Sequence, residues 1–369
     1  MKKYWFLVIA VGFTSCLEKY DFNVLNLNEG LVVEGSISNI SFDASKSFPS
    51  NGRYFKVELS KTSDVTNQRD EKVNGAVVKI KTSQGQEFVY TDSGLGDGFY
   101  YLNEDLFEAN ANAEYQLEIL LEDGQLIESD WEALPAGENE IGDFEYSEAI
   151  RENYVFEAGE KVIGTEKGLK VSLNVPNDNL DANQLVKWSF DPLWTFTAAM
   201  VPSDSPIRKC WVSSDQYLKN VVLGKFKKGG FEQELFFMET AGNWRLYDYF
   251  SVLVHQEKLS PGYYQFWKDL EAQGDKGGLF DQPPFGLNTN FTNTNGPWTV
   301  NGYFGVVNES TVRWTFNPKE LSYVIEDDLY DFCLENGQND PRLPPGQCYD
   351  CRAHTLGTAE NTAPFWWEG

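Results

Sequence analysis

The sequence predicts a mainly β protein: an immunoglobulin-like β-sandwich over residues 31–135, then a second, less regular β domain over 136–330 with one short helix. Three observations predict it. Short runs of alternating apolar and polar residues recur from Leu31 to Leu134, the period-2 mark of half-buried strands. Glycine-bearing turn signals separate them at Asn74-Gly75, Gly94 to Gly98 and Asp123-Gly124. Only one segment of the whole chain combines helical spacing with helix-end residues.

In the first domain the strands are LVVEGSIS, YFKVELSKT, AVVKIKT, EFVYTD and FYYL, then a hairpin in AEYQLEILLEDGQLIESDWEAL. Some seven short strands at even spacing suggest the sandwich. Pro135-Ala-Gly137 and the acidic run behind it mark the boundary. Beyond it, FEYSEAI, LKVSLNV, LVKWSFDPLWTFTA, KNVVLGKF, ELFFME, YFSVLVHQEKL, NGYFGVV and STVRWTF read as strands. Asn308-Glu309 is expected to be the turn joining the last two. The helix is SPGYYQFWKDLEAQG: Ser260 as N-cap, Pro261 at the first helical position, Gly274 at the end. Tyr263, Phe266, Trp267 and Leu270 fall on one face, expected to pack on the core.

The amino terminus, MKKYWFLVIAVGFTSC, sets two lysines before a short apolar run and a small-residue stretch that ends on Cys16. That order is a secretory signal, and the run is far shorter than the about 20 apolar residues of a spanning helix. A cysteine after the small residues reads as a lipobox, with Cys16 as the lipidated first residue of the mature chain. Several acyl chains, at roughly 0.8 kcal/mol per methylene, suffice for stable anchoring. Residues 1–15 are then the signal peptide, 16–30 a tether, and 331–369 a cysteine-containing tail.

The formal charge is −26, and the loss of Lys2 and Lys3 takes it to −28. From Asp92 to Glu160, twenty acidic residues face a single base, Arg151. Nucleic-acid binding, which needs clustered lysine and arginine, is excluded as an expectation. The acidic run reads as a solvated face, or more sharply as a docking face for a basic partner or for cations. Past Cys16 stand Cys210, Cys333, Cys348 and Cys351. An even number in an exported chain points to two disulfides with three possible connectivities. The tightness of a bridge inside Cys348-x-x-Cys351 leans towards Cys333–Cys348 with Cys210–Cys351.

Chemistry is sparse. Of the two histidines, His255 sits inside a strand-like run and reads as structural, and His354 closes CYDCRAH, where cysteines and histidine together form a possible zinc set. Disulfides are the expected use of those cysteines, and no metal site or cofactor is expected. Asn177 to Asp181 resembles the start of a calcium loop without its glycine and distal glutamate. No nucleophile elbow, zincin helix, phosphate loop or dinucleotide fingerprint occurs, so no catalytic residue is assigned. Trp188, Trp194, Trp211, Trp298 and Trp314 are candidates for an aromatic platform binding a sugar or peptide, with core packing as the alternative.

Several stretches together carry a resemblance: LVVEGSIS, VNGAVVKI, KCWVS, VHQEKLSPGYYQFWKDLEAQGD, LFDQPPFGLNTN, NGYFGV and PPGQCYDCRAH with APFWW. In that order the chain resembles a family of Bacteroidota lipoproteins known as a domain of unknown function. The loop after the proline pair departs from it, reading Gly286-Leu-Asn288 where the family tends to Gly-Asn. The resemblance implies an outer-membrane lipoprotein, bound to the bilayer through its N-terminal lipid and associated with SusC-type TonB-dependent receptors. The expectation is a non-catalytic binding or accessory component of a nutrient-uptake or surface complex. The alternatives are a surface glycan hydrolase using a carboxylate pair and a purely structural surface lipoprotein.

Overall fold

A computed structural model describes residues 30–47, 50–62, 71–157, 160–175, 184–226, 231–274, 287–325, 333 and 346–367. The segment expected to be a signal peptide, the expected tether up to residue 29 with Cys16, Gly286 and the Asn177 to Asp181 stretch lie outside them, while Gly30 opens the first strand. The protein is mainly β, in several sheets, and among the described residues only one helix reaches seven residues.

In the N-terminal region the strands are β1 (Gly30–Ser38), β2 (Phe55–Lys61), β3 (Val77–Thr82), β4 (Glu87–Val89), β5 (Thr91–Asp92), β6 (Phe99–Leu102), β7 (Glu114–Leu120), β8 (Leu126–Ser129) and β9 (Glu132–Ala133). A single turn of helix, α1 (Phe42–Ser45), follows β1, capped by Ser41 through the Ala44 amide. The EFVYTD run, read as one strand, divides at Tyr90: β4 joins β3 in one sheet and β5 joins β6 in the other. Val33, Val57, Leu59, Val78, Ile80, Leu117 and Ile119 alternate inward from the two layers and form one core.

The second region holds β10 (Asp143–Glu157), β11 (Glu160–Val175), β12 (Gln184–Thr197), β13 (Lys209–Ser213), β14 (Val222–Phe226), β15 (Phe231–Glu239), β16 (Phe250–Lys258), β17 (Phe291–Asn293), β18 (Thr299–Phe316) and β19 (Thr358–Glu360). β10, β11 and β15 make a small sheet that packs Leu169, Val171, Leu173, Leu235 and Met238 against Trp188, Phe190, Val252 and Val254 of the large one. The helix α2 (Pro261–Gly274) begins as its sequence dictates, the Tyr263 amide donating to Ser260 Oγ at 3.3 Å. Tyr263 and Phe266 are buried, but Leu270 is exposed, so the packed face is narrower than its spacing suggested.

The two cores share a strand. The large sheet runs β19-β13-β12-β16-β18-β1-β2-β6-β5, with β14 also on β12. The first half of β18 lies parallel to β1, from Gly30↔Thr299 to Ser38↔Val307, and places Val300, Phe304 and Val306 in the N-terminal core. Its second half lies antiparallel to β16, from Lys258↔Asn308 to Phe250↔Phe316. The expected turn at Asn308-Glu309 is therefore corrected: these residues sit mid-strand. Asn308 is polar because its side-chain amide donates to the carbonyls of Pro135 and Gly137, 3.3 and 2.9 Å away, tying the inter-domain connection to the strand.

Close approach of β1 demands one glycine. Gly302 stands opposite Val33 with φ +113°, and an added Cβ would overlap the Val33 carbonyl oxygen. Gly302→Ala is expected to cost about 2 kcal/mol of stability, read as a lower midpoint in urea denaturation; an unchanged midpoint would contradict this account of the shared strand.

Candidate functional site

Register places a grid of side chains, all polar except Leu253, on one face of three central strands. Across β12, β16 and β18 the rows are Lys187–Glu257–Glu309, Ser189–His255–Thr311 and Asp191–Leu253–Arg313. The opposite face of the same strands carries Val186, Trp188, Val252, Val254, Val312 and Trp314 against the core. Strand alternation thus separates a dry face from a charged one. The charged face is flanked by the loop after α1, by α2 and by Trp366 of the tail.

His255 is the centre of the grid. Its Nδ1 lies 2.8 Å from Glu309 Oε1 and its Nε2 lies 2.9 Å from Asp191 Oδ2. Burial alone would lower its pKa, but the hydrogen bonds to Asp191 and Glu309 outweigh it and raise the value to about 9. At neutral pH the ring is therefore an imidazolium that donates from both nitrogens.

The two carboxylates differ in access. The Glu309 side chain is only 1% exposed. Burial pushes its pKa up, yet Arg53 and His255 hold it down at about 2. Arg53 Nη2 donates to its other oxygen. Asn39 pairs both backbone groups of Glu309, accepting from its N–H at 2.6 Å and donating to its carbonyl at 3.3 Å. The Asp191 side chain, 68% exposed, opens on a cavity of about 210 Å³ that Arg53, His255, Arg313 and Trp366 also line. Burial acts to raise its pKa, and the bond from His255 outweighs this and keeps it below the ordinary carboxylate value.

Arg313 forms the far wall, its guanidinium 3.8 Å from the centre of the Trp366 ring and 3.2 Å from Ser251 Oγ. Burial lowers its pKa to about 10, still charged at neutral pH. Trp366 is itself held by a 3.1 Å bond from Nε1 to Asn51 Oδ1. At the other end of the grid Lys187 and Glu257 form a buried pair at 2.5 Å, and the Lys187 ammonium lies 4.3 Å from the Trp267 ring centre. A second cavity, about 610 Å³, opens there between β1, β2 and α2, with Arg53 lining both.

The tryptophan platform is corrected. Trp188 and Trp194 are fully buried, and Trp314 and Trp298 pack against the second and first core respectively. Trp211 stands edge-on to Trp367 at 6.5 Å. Trp188, Trp194 and Trp314 turn into the second core and Trp298 packs on the first, so the five indoles form no common exposed surface. Both disulfides are present: Cys210–Cys351 across 141 residues and Cys333–Cys348 across 15. With their sulfurs bonded to each other, these cysteines offer no thiolate, and among the described residues no group of three or more His, Cys, Asp or Glu could hold a metal. His354 instead packs edge-on to Trp244 at 4.7 Å, and burial together with Arg245 lowers its pKa to about 4.

Arg53, Asp191, Glu309, Arg313 and Trp366 were not singled out from the sequence. One signal was available: polar residues at every second position of otherwise apolar strands, as in Lys187-x-Ser189-x-Asp191 and Glu309-x-Thr311-x-Arg313.

A family model, described as a domain of unknown function (DUF4249), matches residues 18–313. The chain belongs to this family. The DUF4249 match contains every position of the polar grid, ending at Arg313, while Trp366 and the disulfide-bonded tail lie beyond it. No curated protein and no solved structure matches this DUF4249 chain.

Proposed function

We propose that this protein is an outer-membrane lipoprotein, anchored through Cys16, that serves as a non-catalytic binding or accessory component of a TonB-dependent nutrient-uptake or surface complex. The N-terminal order of basic, apolar and small residues before Cys16 supports the anchor, and two disulfides suit an oxidising envelope. One observation carries the non-catalytic reading: His255, Asp191, Glu309 and Arg53 satisfy one another. A general base needs a free lone pair, and His255 has none when protonated between two carboxylates. A glycosidase pair needs one carboxylic acid with a raised pKa, whereas both carboxylates here are held low. What the site offers a ligand is an accessible carboxylate, a guanidinium and an indole around a small cavity, which is binding chemistry.

The test is fractionation and native purification. The wild-type protein is expected in the membrane pellet and Cys16→Ser in the soluble fraction. After detergent extraction a TonB-dependent receptor should co-purify in constant ratio. A Cys16→Ser protein that still pellets would overturn the anchor, and recovery of the lipidated protein alone would overturn the accessory role.

A further inference from the structure

The last row of the polar grid sets an acid and a base on either side of an apolar residue. Asp191 stands opposite Leu253 on β16, and Leu253 stands opposite Arg313 on β18. Neighbouring strands lie about 4.8 Å apart, so the two charged residues are rooted about 10 Å from each other. All three line the same cavity. At about 210 Å³ it falls below the roughly 300–1,000 Å³ of drug-sized pockets. The cavity suits a small ligand.

The acid has an oxygen to spare. His255 engages Asp191 Oδ2 at 2.9 Å, and among the described residues no donor bonds its Oδ1. The base is a fork of five N–H donors, more than one partner can occupy. Ser251 Oγ takes a bond from its Nη1, and contact with the Trp366 ring restrains its plane. Leu253 joins Pro192, Leu193 and Trp366 to give the cavity an apolar lining beside these charges.

This pattern discriminates between ligand charges. A ligand with a carboxylate alone would bond Arg313 but crowd the Asp191 carboxylate. One with an ammonium alone would bond Asp191 but meet Arg53, protonated His255 and Arg313 around the same cavity. A zwitterion sets each of its charges against the opposite one. An α-amino acid carries both on a single carbon, which keeps the molecule short enough for the span and leaves its side chain for the apolar lining. A peptide parts its charges by up to about 3.5 Å more for every added residue.

We propose that this cavity binds a free α-amino acid with an apolar side chain, its ammonium on Asp191, its carboxylate on Arg313 and its side chain beside Leu253. The inference deepens the binding reading and rests on it for the non-catalytic use of the site. Binding is measured by equilibrium dialysis on the purified full chain, without membranes or receptor. Its failure therefore leaves the fractionation and co-purification results untouched.

The probes are L-leucine, isocaproate (which lacks the ammonium), isoamylamine (which lacks the carboxylate) and the dipeptide leucyl-leucine. Leucine is expected to bind saturably. Isocaproate and isoamylamine should bind at least about tenfold more weakly, the cost of one lost charge-assisted bond, and the dipeptide should also bind less well than leucine. Asp191→Asn should weaken leucine about tenfold and strengthen isocaproate. Arg313→Gln should weaken leucine likewise and strengthen isoamylamine. Such opposite shifts separate a lost contact from a lost fold, which would remove all binding together. Where a variant fails to fold, the wild-type ligand series still decides. No saturable binding of leucine, equal binding of isocaproate or isoamylamine, or tighter binding of the dipeptide would overturn the proposal. So would folded variants that leave all these affinities unchanged.

Discussion

Replacing Glu309 with glutamine is expected to destabilise the protein by about 3 kcal/mol, the lower end for removing one partner of a buried ion pair. The side chain is sealed between His255 and Arg53, so the amide leaves an imidazolium and a guanidinium facing a neutral group. The partly exposed Arg53 can turn to water, but His255 cannot. A rise of the His255 pKa from 6.5 to about 9 corresponds to about 3 kcal/mol favouring the protonated ring.

The signs then fix a pH profile. A raised histidine pKa contributes stability fully below the unfolded value of 6.5 and loses it as pH climbs through about 9. A depressed glutamate pKa contributes above 4.5 and loses it as pH falls through about 2. The cluster is therefore most stabilising between about 4.5 and 6.5. Urea denaturation at pH 5.5 and pH 9 should show a clear loss in the wild type and a much shallower one in Glu309→Gln. Parallel losses in both proteins would remove His255 as the source.

Breaking the bridge between Cys210 and Cys351 is the other large effect. It closes a loop of 141 residues, for which chain entropy gives about 5 kcal/mol. Both cysteines are buried, and the Cys351 amide donates to the Ile207 carbonyl at 2.9 Å. Next to it His354 sits among Trp194, Phe196 and Trp244. Cys351→Ser should lower the thermal midpoint, shift indole fluorescence and open residues 346–367 to proteolysis. The shorter Cys333–Cys348 loop should matter less, at about 3 kcal/mol. Equal losses from the two variants would argue against loop entropy as the main term.

Most strands were legible because each has one buried face, and a period of two survives any tertiary context. LVVEGSIS, AVVKIKT and YFSVLVHQEKL all fall within a residue or so of their observed spans. What escaped was set by partners far along the chain. Asn308-Glu309 has the composition of a turn, yet its polarity answers Pro135, Gly137, Arg53 and His255. The parallel pairing of β1 with β18 joins residues some 270 positions apart, and no local pattern encodes that. The aromatic platform failed differently. Parity alone would have turned Trp188 inward with Val186 and Phe190, leaving Lys187 and Asp191 to face the loop after α1.

The parallel pairing of β1 with β18 also has a mechanical consequence. β1 lies inside the sheet, held by β18 on one side and β2 on the other. A pull applied at Gly30 along the strand loads both ladders in shear, so many hydrogen bonds must give way together instead of unzipping in turn. Any force entering the chain ahead of Gly30 would pass through β18 into both cores.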